Sequence, residues 1–247
     1  MLSLLGTLIN VLAIVLGSAL GVLLGNRLSE KMSRTLTDAM GLIVLVIGAL
    51  NLAELSDEAF ANATGVFPTI LVVLAALLLG GVAGSLLRIE ERLEQFGVWL
   101  QAKTRGQGDK DRFIQGFVNA ALLFTIGPMA VLGALQDGLG QGFDILALKS
   151  TLDGFTSVAF AATMGWGVAF SAIPVGIWQG LLTILSVTAG DVLSQAAVAS
   201  ITATGGILLL GTGLRVLQIR MVSVADLLPA LIFAPVLTLV LATTLGR

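Results

Sequence analysis

The chain has 247 residues, 56% hydrophobic and only 11% charged, with a mean hydropathy of +1.01. Soluble domains average about 45–50% apolar and about 25% charged, so a water-soluble fold is excluded. Cysteine, histidine and tyrosine are absent, which rules out disulfides, thiol nucleophiles, imidazole ligation of haem or zinc, and His-based triads; 13 Lys+Arg against 15 Asp+Glu give a net charge of −2 and no basic surface for nucleic acid.

The first apolar run has neither the positive leader nor the A-x-A-like site of a cleavable signal peptide, so it reads as a permanent span. A hydrocarbon core about 30 Å thick asks for roughly 20 apolar residues per helix. This predicts spans at 5–25, 36–52, 67–87, 117–135, 146–166, 168–188, 201–217 and 227–245. Residues 146–188 allow either two spans joined by the Gly165-Trp166-Gly167 turn, or one span and a re-entrant piece. Short cytoplasmic loops collect Lys and Arg. Arg27, Lys31 and Arg34 follow span 1; Arg88, Arg92, Lys103, Arg105, Lys110 and Arg112 follow span 3; Arg215 and Arg220 close span 7. Only the two-span reading puts all of these on one side, with Arg247 opposite. The expected fold is an all-α polytopic membrane protein, a single membrane domain over residues 1–247, with eight transmembrane helices and both termini outside the cytoplasm.

Residues 89–112 form a polar stretch in which Ile89, Leu93, Phe96 and Leu100 recur at helical spacing. They predict an amphipathic connector on the cytoplasmic membrane surface with Trp99 at the interface, or a plain helix packed on the bundle. Residues 104–109, rich in glycine and polar side chains, link it to span 4. A shift of 164 residues sets Ala39, Gly41, Ile43, Leu45 and Leu50 against Ala203, Gly205, Ile207, Leu209 and Leu214, and Pro68 opens span 3 as Pro229 opens span 8. A displacement of five helices inverts orientation. Spans 1–3 and 6–8 would then be inverted repeats flanking spans 4 and 5, as in many secondary transporters.

Ionisable groups at membrane depth cost about 2.5–3.5 kcal/mol on insertion scales, and here they gather in spans 4 and 5. Pro128, behind Gly127, lacks an N–H and clashes with the carbonyl four residues back, so it should break span 4 and free backbone that lines a cavity. In span 5, Lys149 and Asp153 are spaced i, i+4 beside Ser150. They form either a charge pair that exchanges partners with a substrate or proton, or a structural pair with Lys149 snorkelling to the headgroups. Asn10, Asn119 and Gln179 are lone amides that either hold helices together or line a pocket. Gln179 has the stronger claim to a pocket because it follows Pro174 in a second proline-interrupted span. Asp137 reads as interfacial and structural. Gly17, Gly21 and Gly25 suit close helix packing or a homodimer face. No P-loop or G-x-S-x-G motif occurs.

Gly127-Pro128-Met129-Ala130, Gly133-Ala134-Leu135, Leu148-Lys149-Ser150, Leu152-Asp153-Gly154, Gly165-Trp166-Gly167-Val168, Ser171-Ala172-Ile173-Pro174-Val175 and Gln179-Gly180 occur together with Gly6-Thr7, Ile9-Asn10 and Leu227-Leu228-Pro229-Ala230. The set resembles the bacterial inner-membrane family labelled domain of unknown function 554, over nearly the whole chain. The resemblance implies a multi-span inner-membrane protein, at most a transporter or channel, and supplies no substrate.

The expected function is a secondary transporter or channel for a small solute or ion. No enzyme activity, cofactor or metal is expected. The binding site would comprise Asp153, Lys149, Ser150, Asn119, Gly127, Pro128, Gln179 and Asn10. Expected partners are the lipid bilayer, the solute or ion and a second copy of the chain, with no nucleic acid. The competing class is a non-transporting scaffold or regulatory subunit whose polar residues only specify helix packing.

Overall fold

A computed structural model describes residues 4–25, 28–103, 109–189 and 194–245, and among these no strand occurs. In chain order the helices are α1 (Leu5–Gly25), α2 (Glu30–Asn51), a 3-10 turn (Leu52–Ser56), α3 (Glu58–Thr64), α4 (Thr69–Leu87), α5 (Ile89–Lys103), α6 (Lys110–Thr125) and α7 (Pro128–Gly138). They continue with α8 (Asp144–Met164), α9 (Gly167–Phe170), α10 (Ala172–Ala189), α11 (Gln195–Val216), α12 (Val224–Leu227) and α13 (Ala230–Leu245). Arg27, Arg105, Arg247 and most of the 104–109 link lie outside the described residues.

Among the described residues, seven segments are long and apolar enough to cross a membrane: Leu5–Gly25, Glu30–Ser56, Thr69–Leu87, Asp144–Met164, Gly167–Ser186, Gln195–Val216 and Val224–Thr244. Residues 146–188 therefore hold two of them, turning at Gly165, whose φ of +78° favours glycine. The expected span 4 is a pair of helices, Lys110–Thr125 and Met129–Gly138, bent by 61°. Proline explains its break and two others, through the carbonyl four residues back. Pro128 cannot serve Phe124, and α6 stops at Thr125; Pro174 cannot serve Phe170, where α9 stops; Pro229 cannot serve Ala225, and α12 stops two residues later. The expectation for span 6 needs correction on this point. Its break falls at Ser171, near the start of the span, so Gln179 sits inside continuous α10 rather than at an interruption.

Two further differences have simple causes. α2 starts at Glu30, not residue 36, because its polar first turns are exposed and supported by the Glu30–Arg34 pair at 2.5 Å, a helix that hydropathy alone does not register. α3 escapes hydropathy too, but Asp57 caps it by accepting from Phe60 N at 2.8 Å, and Phe60 is fully buried.

The helices gather into two compact units, one of residues 1–42 and 93–191, the other of residues 43–92 and 192–247. In the first, α1 lies along α8 with both helices advancing together. A Cβ placed on Gly6 would meet Leu146, on Gly17 the Gly154 carbonyl, on Gly21 the Val158 carbonyl and on Gly25 the Ala162 carbonyl. The two helices are therefore parallel and in backbone contact, which the glycine spacing permits. α6 begins beside the C-terminal end of α8, where Arg112 Nε donates to the Thr163 carbonyl at 2.7 Å. α7 ends at the opposite end, where Gly6 N donates to Asp137 Oδ2 at 3.2 Å and Ile145 N donates to Gln136 Oε1 at 3.3 Å. α10 runs antiparallel to α1, with Gly176 against Val11 and with Thr183 and Ser186 against Gly138. On α5, Phe96 stacks with Trp99 (5.6 Å) and meets Phe117 of α6 edge-on (5.9 Å), while Trp99 stays 49% exposed under Lys103. The connector thus buries an apolar face and presents the indole outward.

In the second unit, Phe60, Val72, Val73, Ala199 and Ala203 form one core cluster, and Ala76, Ala230 and Ala234 another. α2 crosses α11 where Gly48 and Gly206 face each other's carbonyls, each 2.8 Å from the position of the other's missing Cβ.

Candidate functional site

Helix α8 is amphipathic in an inverted sense: Phe155, Leu148 and Leu152 are exposed, whereas Lys149, Ser150, Asp153 and Ser157 are buried. At 1.5 Å rise per residue, Asp153 lies about 14 Å along a helix about 31 Å long, close to its middle. Its carboxylate is paired with the Lys149 ammonium one turn earlier. The Lys149 Nζ also lies 5.9 Å from the centre of the Phe124 ring, at the end of α6 beside the bend. Lys149 therefore does not snorkel; it is turned inward between a carboxylate and an aromatic face.

Asn10 of α1 and Gln179 of α10 complete the group. Asn10 Nδ2 donates to Asp153 Oδ2 at 3.0 Å and to Gln179 Oε1 at 3.2 Å, and both amides are fully buried. The Asp153 oxygen that faces Lys149 accepts, so Asn10 must turn its nitrogen to it, and Gln179 must then present its oxygen to Asn10. This chain of donors leaves Asn10 Oδ1 and Gln179 Nε2 without partners among the described residues. On the helices of the same unit, Thr7 Oγ1, Ser18 Oγ, Asn119 Oδ1, Ser157 Oγ and Trp178 Nε1 are buried and likewise unmatched among the described residues. Each such atom costs about 1–3 kcal/mol if nothing meets it, a heavy concentration for one set of helices.

Four of the eight expected residues, Asn10, Lys149, Asp153 and Gln179, are thus joined by direct contacts across three helices. Ser150 is buried but donates to the Leu146 carbonyl of its own helix at 2.6 Å. Asn119 is buried in α6 and takes no part in the hydrogen bonds of the group. Pro128 opens α7, and the Gly127 carbonyl before it accepts from Ala130 N at 3.1 Å. The backbone opened by the proline is therefore the Phe124 carbonyl, four residues back, rather than glycine's own. Asp137, read as interfacial, is buried inside the protein and caps the first turn of α1.

A second buried ion pair was not among the expected residues. Glu90 at the start of α5 pairs with Arg215 at the end of α11; Glu90 Oε2 also accepts from Ala225 N at 2.8 Å, and Glu90 N donates to Asp226 Oδ1 at 2.9 Å. In the sequence both residues stand at the edges of spans, where charge reads as topogenic, so no local signal separates them from their solvated neighbours. Among the described residues no group of three acidic side chains converges that could hold a metal ion.

Long apolar helices whose few charges are turned inward and paired define a polytopic α-helical membrane protein. The family model described as "Protein of unknown function (DUF554)" matches residues 5–239, and the chain belongs to that family. It is similar to the uncharacterized membrane protein YdfK of Bacillus subtilis (strain 168), 28% identical over 237 residues and 96% of each chain. It is also similar to the uncharacterized protein YqgA of Escherichia coli (strain K12), 32% identical over 233 residues, 93% of this chain and 94% of that one. No solved structure matches the chain.

Proposed function

We propose that the protein is a secondary transporter or channel of the bacterial inner membrane that moves a small solute or ion past the Asn10–Lys149–Asp153–Gln179 group. The observation that carries this reading is the buried Lys149–Asp153 pair, bridged by Asn10 to Gln179 beside a bent helix pair. Structural ion pairs are weak stabilisers because desolvation offsets their attraction. A chain that keeps one at the middle of a spanning helix, bridged by amides that still carry unmatched polar atoms, is arranged to exchange those contacts. Asp153 and Lys149 supply exchangeable charge, Asn10 and Gln179 supply directed hydrogen bonds, and the bend at Gly127 and Pro128 opens backbone beside them.

The same reading has eight crossings, with α6 and α7 together forming the fourth. α1 and α8 run parallel, which needs an odd number of crossings between them; α2, α4 and the bent pair make three, whereas a re-entrant pair would leave two. With the basic ends of the spans cytoplasmic, both termini face outward. Spans 1–3 and 6–8 form an inverted pair in this scheme, and its strongest correspondence, α2 with α11, joins helices of 22 residues each.

The test is uptake into proteoliposomes under imposed proton and sodium gradients, comparing wild type with Asp153→Asn. A variant that folds and transports as well as wild type removes Asp153 from the site. Loss of stability with no flux in either protein would favour the scaffold class instead.

A further inference from the structure

We propose that the Asn10–Gln179 amide pair is the recognition element of this site, and that its ligand presents an uncharged group able to donate and accept hydrogen bonds at once, as a urea or a primary carboxamide does. This rests on the transport reading and specifies its substrate class.

Three observations carry the proposal. First, the buried ionisable side chains of this unit are Asp137, Lys149 and Asp153 among the described residues. Lys149 and Asp153 neutralise each other, and Asp137 serves the first turn of α1. A charged ligand would exchange with one member of the pair and strand the other without a counter-charge; an uncharged one that both donates and accepts can exchange with both at once. Second, Asn10 spends both of its N–H groups on Asp153 and Gln179, leaving the Asn10 Oδ1 acceptor and the Gln179 Nε2 donor group unmatched among the described residues. An N–H for Asn10 and a carbonyl oxygen for Gln179 are the two halves of an amide. Third, the other unmatched buried side-chain atoms of this unit are, among the described residues, also uncharged: the hydroxyls of Thr7, Ser18 and Ser157, the Asn119 oxygen and the Trp178 N–H. Sites built from buried directional donors and acceptors reject analogues lacking the complementary groups by large factors.

The experiment uses full-length protein in liposomes with radiolabelled urea as the probe, and unlabelled acetamide, tetramethylurea, sodium acetate and methylammonium chloride as competitors. The expected result is urea entry above protein-free vesicles, competed by acetamide but not by tetramethylurea, which has no donor, nor by either salt. Asn10→Leu and Gln179→Met, each checked for monodisperse elution and an intact melting transition, should lower urea entry about tenfold or more. The wild-type competition pattern stands without either variant, so their failure to fold leaves the test intact. Urea entry at the protein-free rate overturns the proposal. If labelled acetate or methylammonium then enters through the protein, transport stands and the substrate class is wrong. If only osmotic water permeability rises, the unmatched atoms are met by water and this inference falls; if nothing moves under any gradient, the transport reading falls with it.

Discussion

Asn10 and Asp153 stand 143 residues apart in the chain, yet Asn10 Nδ2 donates to the Asp153 carboxylate at 3.0 Å in the buried seam between α1 and α8. That bond exists because glycines at 17, 21 and 25 let the two backbones touch, carrying the polar faces of both helices into one another. Close packing and the candidate site are therefore one construction.

The charge pair separates a working site from a packing device. Asp153→Asn leaves the Lys149 ammonium buried without its carboxylate and should cost about 3–5 kcal/mol, seen as a lower unfolding midpoint in detergent. The double replacement Lys149→Met with Asp153→Leu should recover most of that stability, since well-packed apolar residues can substitute for a buried pair. Transport should be absent from both. A double variant that still moves solute would show that the charges are not used.

The absence of native cysteine makes topology directly measurable. Single cysteines at Asp57 and Gln141 should react with a membrane-impermeant maleimide in intact spheroplasts. One at Lys110 should react only after permeabilisation. Labelling of positions 110 and 141 from the same side would mean that α6 and α7 return rather than cross.

Gly21 tests the seam itself. A Cβ there would collide with the Val158 carbonyl, backbone that cannot swing aside, so Gly21→Val must push α1 from α8. Overpacking of this kind costs about 1–3 kcal/mol. The expected outcome is a lowered melting midpoint and faster cleavage of α1 by added protease. Unchanged values would contradict the contact.

Glu90→Gln removes the charge that Arg215 and Ala225 N share. Breaking a buried pair on one side costs about 3–5 kcal/mol, and the loss should appear in the melting transition of the full chain. Replacement of exposed Glu91 by Gln should change it by less than about 0.5 kcal/mol.

Much of this architecture is legible in the sequence because lipid imposes a simple demand, about 20 apolar residues per crossing. α1 begins and ends where its hydropathy does, and α4 and α8 shift by two residues at most. The candidate charges were legible for the same reason, since Lys149 and Asp153 interrupt an apolar helix. Their i, i+4 pairing was legible too, but the amide contacts were not: nothing local tells Asn10 that Asp153 and Gln179 will meet it, and Asn119, equally conspicuous, stays outside the group. Glu90 and Arg215 were invisible because burial at the ends of spans depends on how α5, α11 and α12 fold together, a tertiary fact. In the sequence Pro174 points to Gln179, but a proline disturbs the turn before it, not the residues that follow.

The α1 seam also has a consequence for biogenesis. Asn10 emerges from the ribosome well ahead of its partners, Asp153 being 143 and Gln179 169 residues later. At about 5–20 residues per second the wait is roughly 7–34 s. During that interval α1 carries Asn10 with no helix to receive it, and its glycine face is bare. α1 thus waits for the middle of the chain, and the insertion machinery must shelter it until α8 and α10 arrive.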